Sequence, residues 1–187
     1  MKTLDDAWGW YLAVKGGMTL LAHLSNHWND LPWGSETEWV ERLERDNVLR
    51  HAAALDMAAG ARLVRNELDD LAVLLLFSVF EATVRELVEE QVEPEISALR
   101  HPALVKAGKD VRRAIEEGSF FQLLEPYKSS MHVDLVEQVN QVRRFRNWVA
   151  HGRRPEMNPG AVVEPREAYE RLKAFLAVIQ PASATSP

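Results

Sequence analysis

Residues 142–154 read VRRFRNWVAHGRR. Arg143, Arg144, Arg146, Arg153 and Arg154 surround Asn147 and His151, with no acid among them. His151 is the one side chain in this stretch that can give and take a proton near neutral pH. Arginine supplies a permanent two-pronged clamp for phosphate oxygens, and the Asn147 amide can orient either group. This set, without metal ligands, suits cleavage of a phosphodiester by the adjacent ribose 2′-hydroxyl. His151 would handle the proton while Arg146 stabilises charge on the five-coordinate phosphorus. The reaction requires RNA, because DNA lacks the internal nucleophile. Arg143, Arg144, Arg153 and Arg154 would hold the RNA backbone.

Such a patch stands out against a chain of 187 residues with a formal charge of −6. A negative balance argues against broad polyanion binding, so a nucleic-acid role must rest on this local cluster. The length suits one domain, or one domain with a decorated end, and allows a core without staples. There is no cysteine, which removes disulfides and cysteine-based zinc sites and fits a reducing compartment. The longest apolar run, LAVLLLFSVF at 71–80, is too short to span a bilayer and leads into Glu81. The N-terminus meets Asp5 and Asp6 and lacks the apolar core of a signal peptide. A soluble cytoplasmic protein is expected, without cofactor, bound metal or membrane partner. His23 and His27 are four apart, but no third ligand stands at a suitable spacing, and a structural role is expected for both.

Apolar residues recur at helical spacing nearly throughout, and no stretch alternates as a strand does. An all-α bundle follows. A first helix is expected over about 4–28, with Gly16-Gly17 as a weak point. Ser35 and Glu38 have capping-box spacing and should open a helix running toward Arg50. A further helical stretch is expected over 52–67. Residues 69–92 should form a helix with Val73, Phe77, Phe80, Val84, Leu87 and Val88 on one face and Pro94 closing its end. Region 95–130 should hold shorter helices around Phe120-Phe121. Another helix is expected over 132–150, stopped by Gly152 and Pro155. Pro165 opens the last, to about Gln180. The tail PASATSP reads as disordered.

On the 132–150 helix, Leu135, Val139, Val142 and Val149 form an apolar stripe, and Arg146 lies in its middle. An unpaired guanidinium there costs several kcal/mol. Arg146 must therefore have a carboxylate partner, reach the edge of the core, or face something outside this bundle. Glu81, flanking the apolar face of helix 69–92, is the candidate partner. Arg146 and His151 are five apart, about 140° round the helix. Either Gly152 unwinds the end so that His151 swings, or two copies meet so that their pairs surround one cleft.

The stretch RNWVAHG at 146–152 resembles the signature of the HEPN superfamily: an arginine, a polar residue, and a histidine four to six positions on, at a helix end. LLLFSVFEATVRELVEE at 74–90 resembles the helix preceding that motif, and 165–180 the helix following it. The likeness implies a HEPN-like helical bundle over 65–180, with 1–64 an extra N-terminal helical region of unknown role and 181–187 a tail. It implies a twofold dimer whose composite cleft makes a metal-independent endoribonuclease, working in toxin–antitoxin or anti-phage defence with a cognate antitoxin or other protein as partner. Arg146 and Asn147 would be catalytic with His151, and Glu81 would support them. Arg45 and His51 repeat the spacing among Glu41, Glu44 and Asp46, without a following glycine, and read as a solvated face.

A second reading uses the same residues without chemistry. The helix would be a dimer seam, Arg146 would pair with Glu81, and the basic end would bind a nucleotide, RNA or an acidic protein. The tryptophans at 8, 10, 28, 33 and 39 would fill a core or interface rather than stack on bases.

Overall fold

Thr3 and Asp6 cap each other's backbone: Asp6 N–H donates to Thr3 Oγ1 at 3.1 Å and Thr3 N–H donates to Asp6 Oδ2 at 3.2 Å. This reciprocal cap starts the first of seven α-helices found among the described residues, which form no strand. A computed structural model describes residues 1–32, 34, 37–46, 54–127 and 133–180. Ser35, Trp33, His51, His132 and the tail 181–187 lie outside them.

The helices are α1 (Leu4–Asn26), α2 (Glu38–Arg45), α3 (Ala54–Ala98), α4 (Pro102–Glu117), α5 (Phe120–Leu124), α6 (Val133–Ala150) and α7 (Pro165–Ile179). The chain falls into two compact units, Met1–Trp8 with Asp70–Pro187, and Gly9–Asp69. The boundary drawn from sequence, after residue 64, falls within α3. No described helix is long and apolar enough to cross a membrane.

As expected, one helix runs through the weak point at Gly16-Gly17. Its surroundings are tied by Lys15, whose Nζ donates to Tyr11 and, at 3.2 Å, to Asp69, and the glycine penalty of about 1 kcal/mol each is borne. Pro94 lies inside α3 instead of ending it. The segment beyond it is held by α4: Arg112 bridges to Glu93 at 2.6 Å, and Gly108 lets α4 approach so closely that a Cβ there would lie 2.9 Å from Ile96 Cγ2. Tertiary contact outweighs the loss of one helical hydrogen bond. Nothing in RNELDDLA supplies a stop either, so the two helices expected over 52–92 are one.

In the first unit, the expected face of α3 is buried: Val73, Phe77, Phe80, Val84 and Val88 are shielded, with Leu87 partly so. Phe80 packs edge-on against Phe175 of α7 and Phe120 of α5, each with centroids 5.5 Å apart. Each such side chain contributes about 1.5–3 kcal/mol by leaving water. The first turns of α1 belong here too: Leu4 and Ala7 are buried, and Trp8 stacks on Tyr169 at 5.0 Å.

In the second unit, Tyr11, Trp28, Val40, Met57, Ala61 and Leu68 are buried. Tyr11 donates to Asp69 Oδ1 at 2.8 Å. Trp10 and Trp39 are exposed, so the described tryptophans divide between packing and surface.

Candidate functional site

Arg146 lies where the wheel puts it. Val139 and Val142 are fully buried beside it, with Phe145 almost so. Among the described residues its guanidinium makes no ion pair. Its Nη1 donates to Asn147 Oδ1 at 3.0 Å, its Cζ lies 5.6 Å from the centre of the Phe77 ring, and its Nε is buried without a hydrogen-bond partner. The ring contact is worth about 0.5–2 kcal/mol. It offsets part, not all, of the cost of a buried unsatisfied donor on a charged group, about 1–3 kcal/mol or more. Of the three routes open to Arg146, it takes the second: it reaches the core's edge.

That edge is a cavity of about 210 Å³, lined by Arg143, Arg146 and Asn147 of α6, Phe77 and Glu81 of α3, and Phe121 of α5. The Arg146–Glu81 pair of the second reading is not formed. Glu81 instead accepts from Arg85 Nη2 at 2.7 Å, one turn along its own helix. Arg85 has a second task that explains the choice. It donates to the carbonyls of Ile115 and, at 2.9 Å, Gly118, where α4 ends. A cation at a helix C-terminus satisfies carbonyls that lack helical donors. Glu81 therefore holds the clamp that anchors the α4–α5 joint.

That joint positions the cavity's far wall. Gly118 passes so near Ala114 that a Cβ would sit 2.2 Å from its carbonyl oxygen. Ser119 and Gln122 then form a reciprocal capping box. Consecutive residues on the short helix diverge: Phe120 enters the aromatic core, while Phe121 stays 38 % exposed with Arg143 Cζ 5.5 Å from its ring centre.

Arg143 also donates from Nε to Asn140 Oδ1 at 3.3 Å. Burial, and then the Arg144 charge, pull its guanidinium below the usual range. It makes no ion pair among the described residues. Arg144 is paired with Glu137, and Arg153 with Asp70, its Nε donating at 2.9 Å.

His151 is exposed and does not line the cavity. Its N–H still bonds to the Asn147 carbonyl at 3.0 Å, so the helical turn persists through it. Gly152 N–H then bonds to Val149 O and Arg153 N–H to Trp148 O, the two bonds of a Schellman cap with glycine at the left-handed position, φ +76°. Arg153 also has positive φ, at 58°. The Trp148 indole secures the turn by donating to Arg154 O at 3.1 Å. The glycine thus turns the chain after His151 and does not swing it toward Arg146.

The structure brings together Arg143, Arg146, Asn147 and Glu81. It sets Arg153 to anchoring the turn and leaves the Arg154 side chain exposed. Sequence reasoning overlooked Asn140, Phe121 as distinct from Phe120, and the Ser119 wall. Asn140, Arg143 and Asn147 stand at i, i+3 and i+7, a spacing that marks one face. His27 Nδ1 lies 3.2 Å from Asp30, and His23 is exposed. Among the described residues no three His, Asp or Glu side chains gather as a metal site.

As it stands, the cavity can receive an anion. It offers two guanidiniums that have no carboxylate partner among the described residues, and an amide, on a wall with one carboxylate already engaged. No family model matches the chain, and no curated protein or solved structure matches it significantly.

Proposed function

We propose that the chain is a metal-independent endoribonuclease of HEPN type, cutting RNA by attack of the 2′-hydroxyl and leaving a 2′,3′-cyclic phosphate. Arg146, supported by Asn147, holds the scissile phosphate; His151 exchanges the proton; Arg143, Arg144 and Arg154 track the backbone. The observation that carries this reading is Arg146 itself. It is a half-buried cation with an unsatisfied Nε, no acid partner among the described residues and a cavity before it. Such a group lowers stability, so it is retained for what it binds. The separation of His151 from that cavity within one chain favours a twofold dimer with α6 near the axis, where each copy's histidine serves the other's arginine. The setting is a cytoplasmic toxin–antitoxin or defence system, with a cognate antitoxin or another protein as partner.

The test is cleavage of a mixed RNA pool by the purified protein in EDTA. Cleavage, a cyclic phosphate end and loss of both in His151→Ala are expected. Activity that survives His151→Ala, with helical circular dichroism unchanged, removes this mechanism.

The exposed position of His151, outside the cavity, favours a second reading: a non-catalytic module that binds RNA or a nucleotide at Arg146. Binding without cleavage, at any protein concentration, would select it.

A further inference from the structure

Behind Arg143 lies a second cavity, of about 350 Å³, lined by Phe121, Val136, Glu137, Asn140, Arg143 and Arg144. Phe121 and Arg143 form a wall common to both cavities. The larger one has the size of a small-molecule site, for which about 300 Å³ is the lower bound. Its polar equipment is specific. Asn140 is 7 % exposed, a polar residue in a helix face otherwise made of valines and Phe145. Since an arginine can only donate, the bond from Arg143 Nε fixes which end of the amide is oxygen. The amide NH₂ is left with no acceptor among the described residues. That nitrogen is not sealed from solvent and can donate to whatever enters the cavity.

The remaining walls say what that occupant is. Phe121 presents an exposed ring, Arg143 a planar cation against it, and Val136 an apolar floor. The Glu137 carboxylate is engaged by Arg144. A flat, partly polar ring with acceptors on its edge satisfies all of them, and the smaller cavity adjoins it across Arg143. We propose that the second cavity holds one nucleobase of a single-stranded RNA, stacked on the Phe121–Arg143 pair and accepting a hydrogen bond from the Asn140 amide, next to a phosphate held at Arg146. The assignment rests on the ribonucleolytic reading for the identity of the chain as RNA. Arg143 then joins base to backbone, which makes Phe121 and Asn140 determinants of sequence preference and leaves the reacting atoms to Arg146 and His151.

Binding of a short fluorescent 2′-O-methyl oligonucleotide tests this, because that probe lacks the attacking hydroxyl and is not cut. Its abasic counterpart is expected to bind at least about tenfold more weakly, since stacking of one base on an aromatic ring is worth roughly that much or more. Phe121→Ala should erase the difference, and Phe121→Tyr should restore it. Asn140→Ala, checked for an unaltered melting profile, should change the ratio of affinities for uniform uridine and adenosine probes, which a purely structural role would leave fixed. Equal binding of intact and abasic probes by the wild-type chain overturns the base site even if RNA is cleaved. A nucleoside monophosphate that binds as tightly as the oligonucleotide overturns the assignment to RNA. Base-dependent binding without cleavage supports the base site and sinks the nuclease reading instead.

Discussion

Glu81 and Arg146 line the same cavity without pairing, because Glu81 is bound at 2.7 Å to Arg85, which in turn ties down the end of α4. A carboxylate can lock two helices or steady a clamp, and here the clamp has it. Arg146 is consequently left without a carboxylate among the described residues, with its Nε buried and unsatisfied, and is the most informative residue to change.

Arg146→Met should hold or raise Tm, on the order of 2–4 °C, because an apolar side chain replaces a charge with an unsatisfied donor. RNA cleavage should fall about 10²-fold or more in the same variant. Arg146→Lys should also lose cleavage, since an ammonium lacks the fork. Thermal melting alongside the EDTA cleavage assay checks both; a large drop in Tm for Arg146→Met would make the residue structural.

Glu81→Gln and Arg85→Ala act on stability first. Arg85→Ala strips donors from the Ile115 and Gly118 carbonyls and should cost about 2–3 kcal/mol, while Glu81→Gln should cost about 1 kcal/mol. Denaturant titration reads these values. Cleavage measured at a temperature where each variant is folded should change little for Glu81→Gln.

Gly152→Ala forces a Cβ into the left-handed region at φ +76° and should cost about 1–2 kcal/mol. The turn after His151 would shift, so cleavage should drop further than RNA binding does. Gly152→Asn, which tolerates that region, should be milder. Separate binding and cleavage measurements make the distinction.

The two arginines after the glycine should differ. Arg153→Ala removes the link to Asp70 and should lower Tm. Arg154→Ala leaves the fold intact but should reduce the salt dependence of RNA binding by about 0.7 in log–log slope. Affinity measured across a salt series, next to melting curves, tests the contrast.

Asp5 receives hydrogen bonds from Lys173 Nζ at 2.9 Å and the Tyr169 hydroxyl at 2.6 Å, which hold its carboxyl below the usual carboxylate range. The folded state therefore favours its ionised form. That contribution is complete above the unfolded value, about pH 4, and is lost as pH falls through the lower folded value. Tm followed from about pH 6 to 2 should decline less steeply in Asp5→Asn, and salt should blunt the difference because the group is exposed.

Helix periodicity and the glycine and proline signals made the fold class legible, along with α6, α7 and the buried face of α3. They depend on local sequence alone, and so did the basic cluster and the arginine out of place at position 146. Where sequence failed, a neighbour distant in the chain had intervened. Pro94 did not end α3 because α4 packs on Ile96. Glu81 did not reach Arg146 because Arg85 sits one turn away and finds carbonyls 30 residues on. Asn140 gained its importance only when α5 set Phe121 beside Arg143. By itself the sequence determined which residues carry charge, proton exchange and helix, since these are properties of side chains and of 3.6-residue periodicity. Only the tertiary structure decided which carboxylate meets which guanidinium and where a cavity opens, because ion pairing and packing are settled by distances between segments that no local pattern encodes.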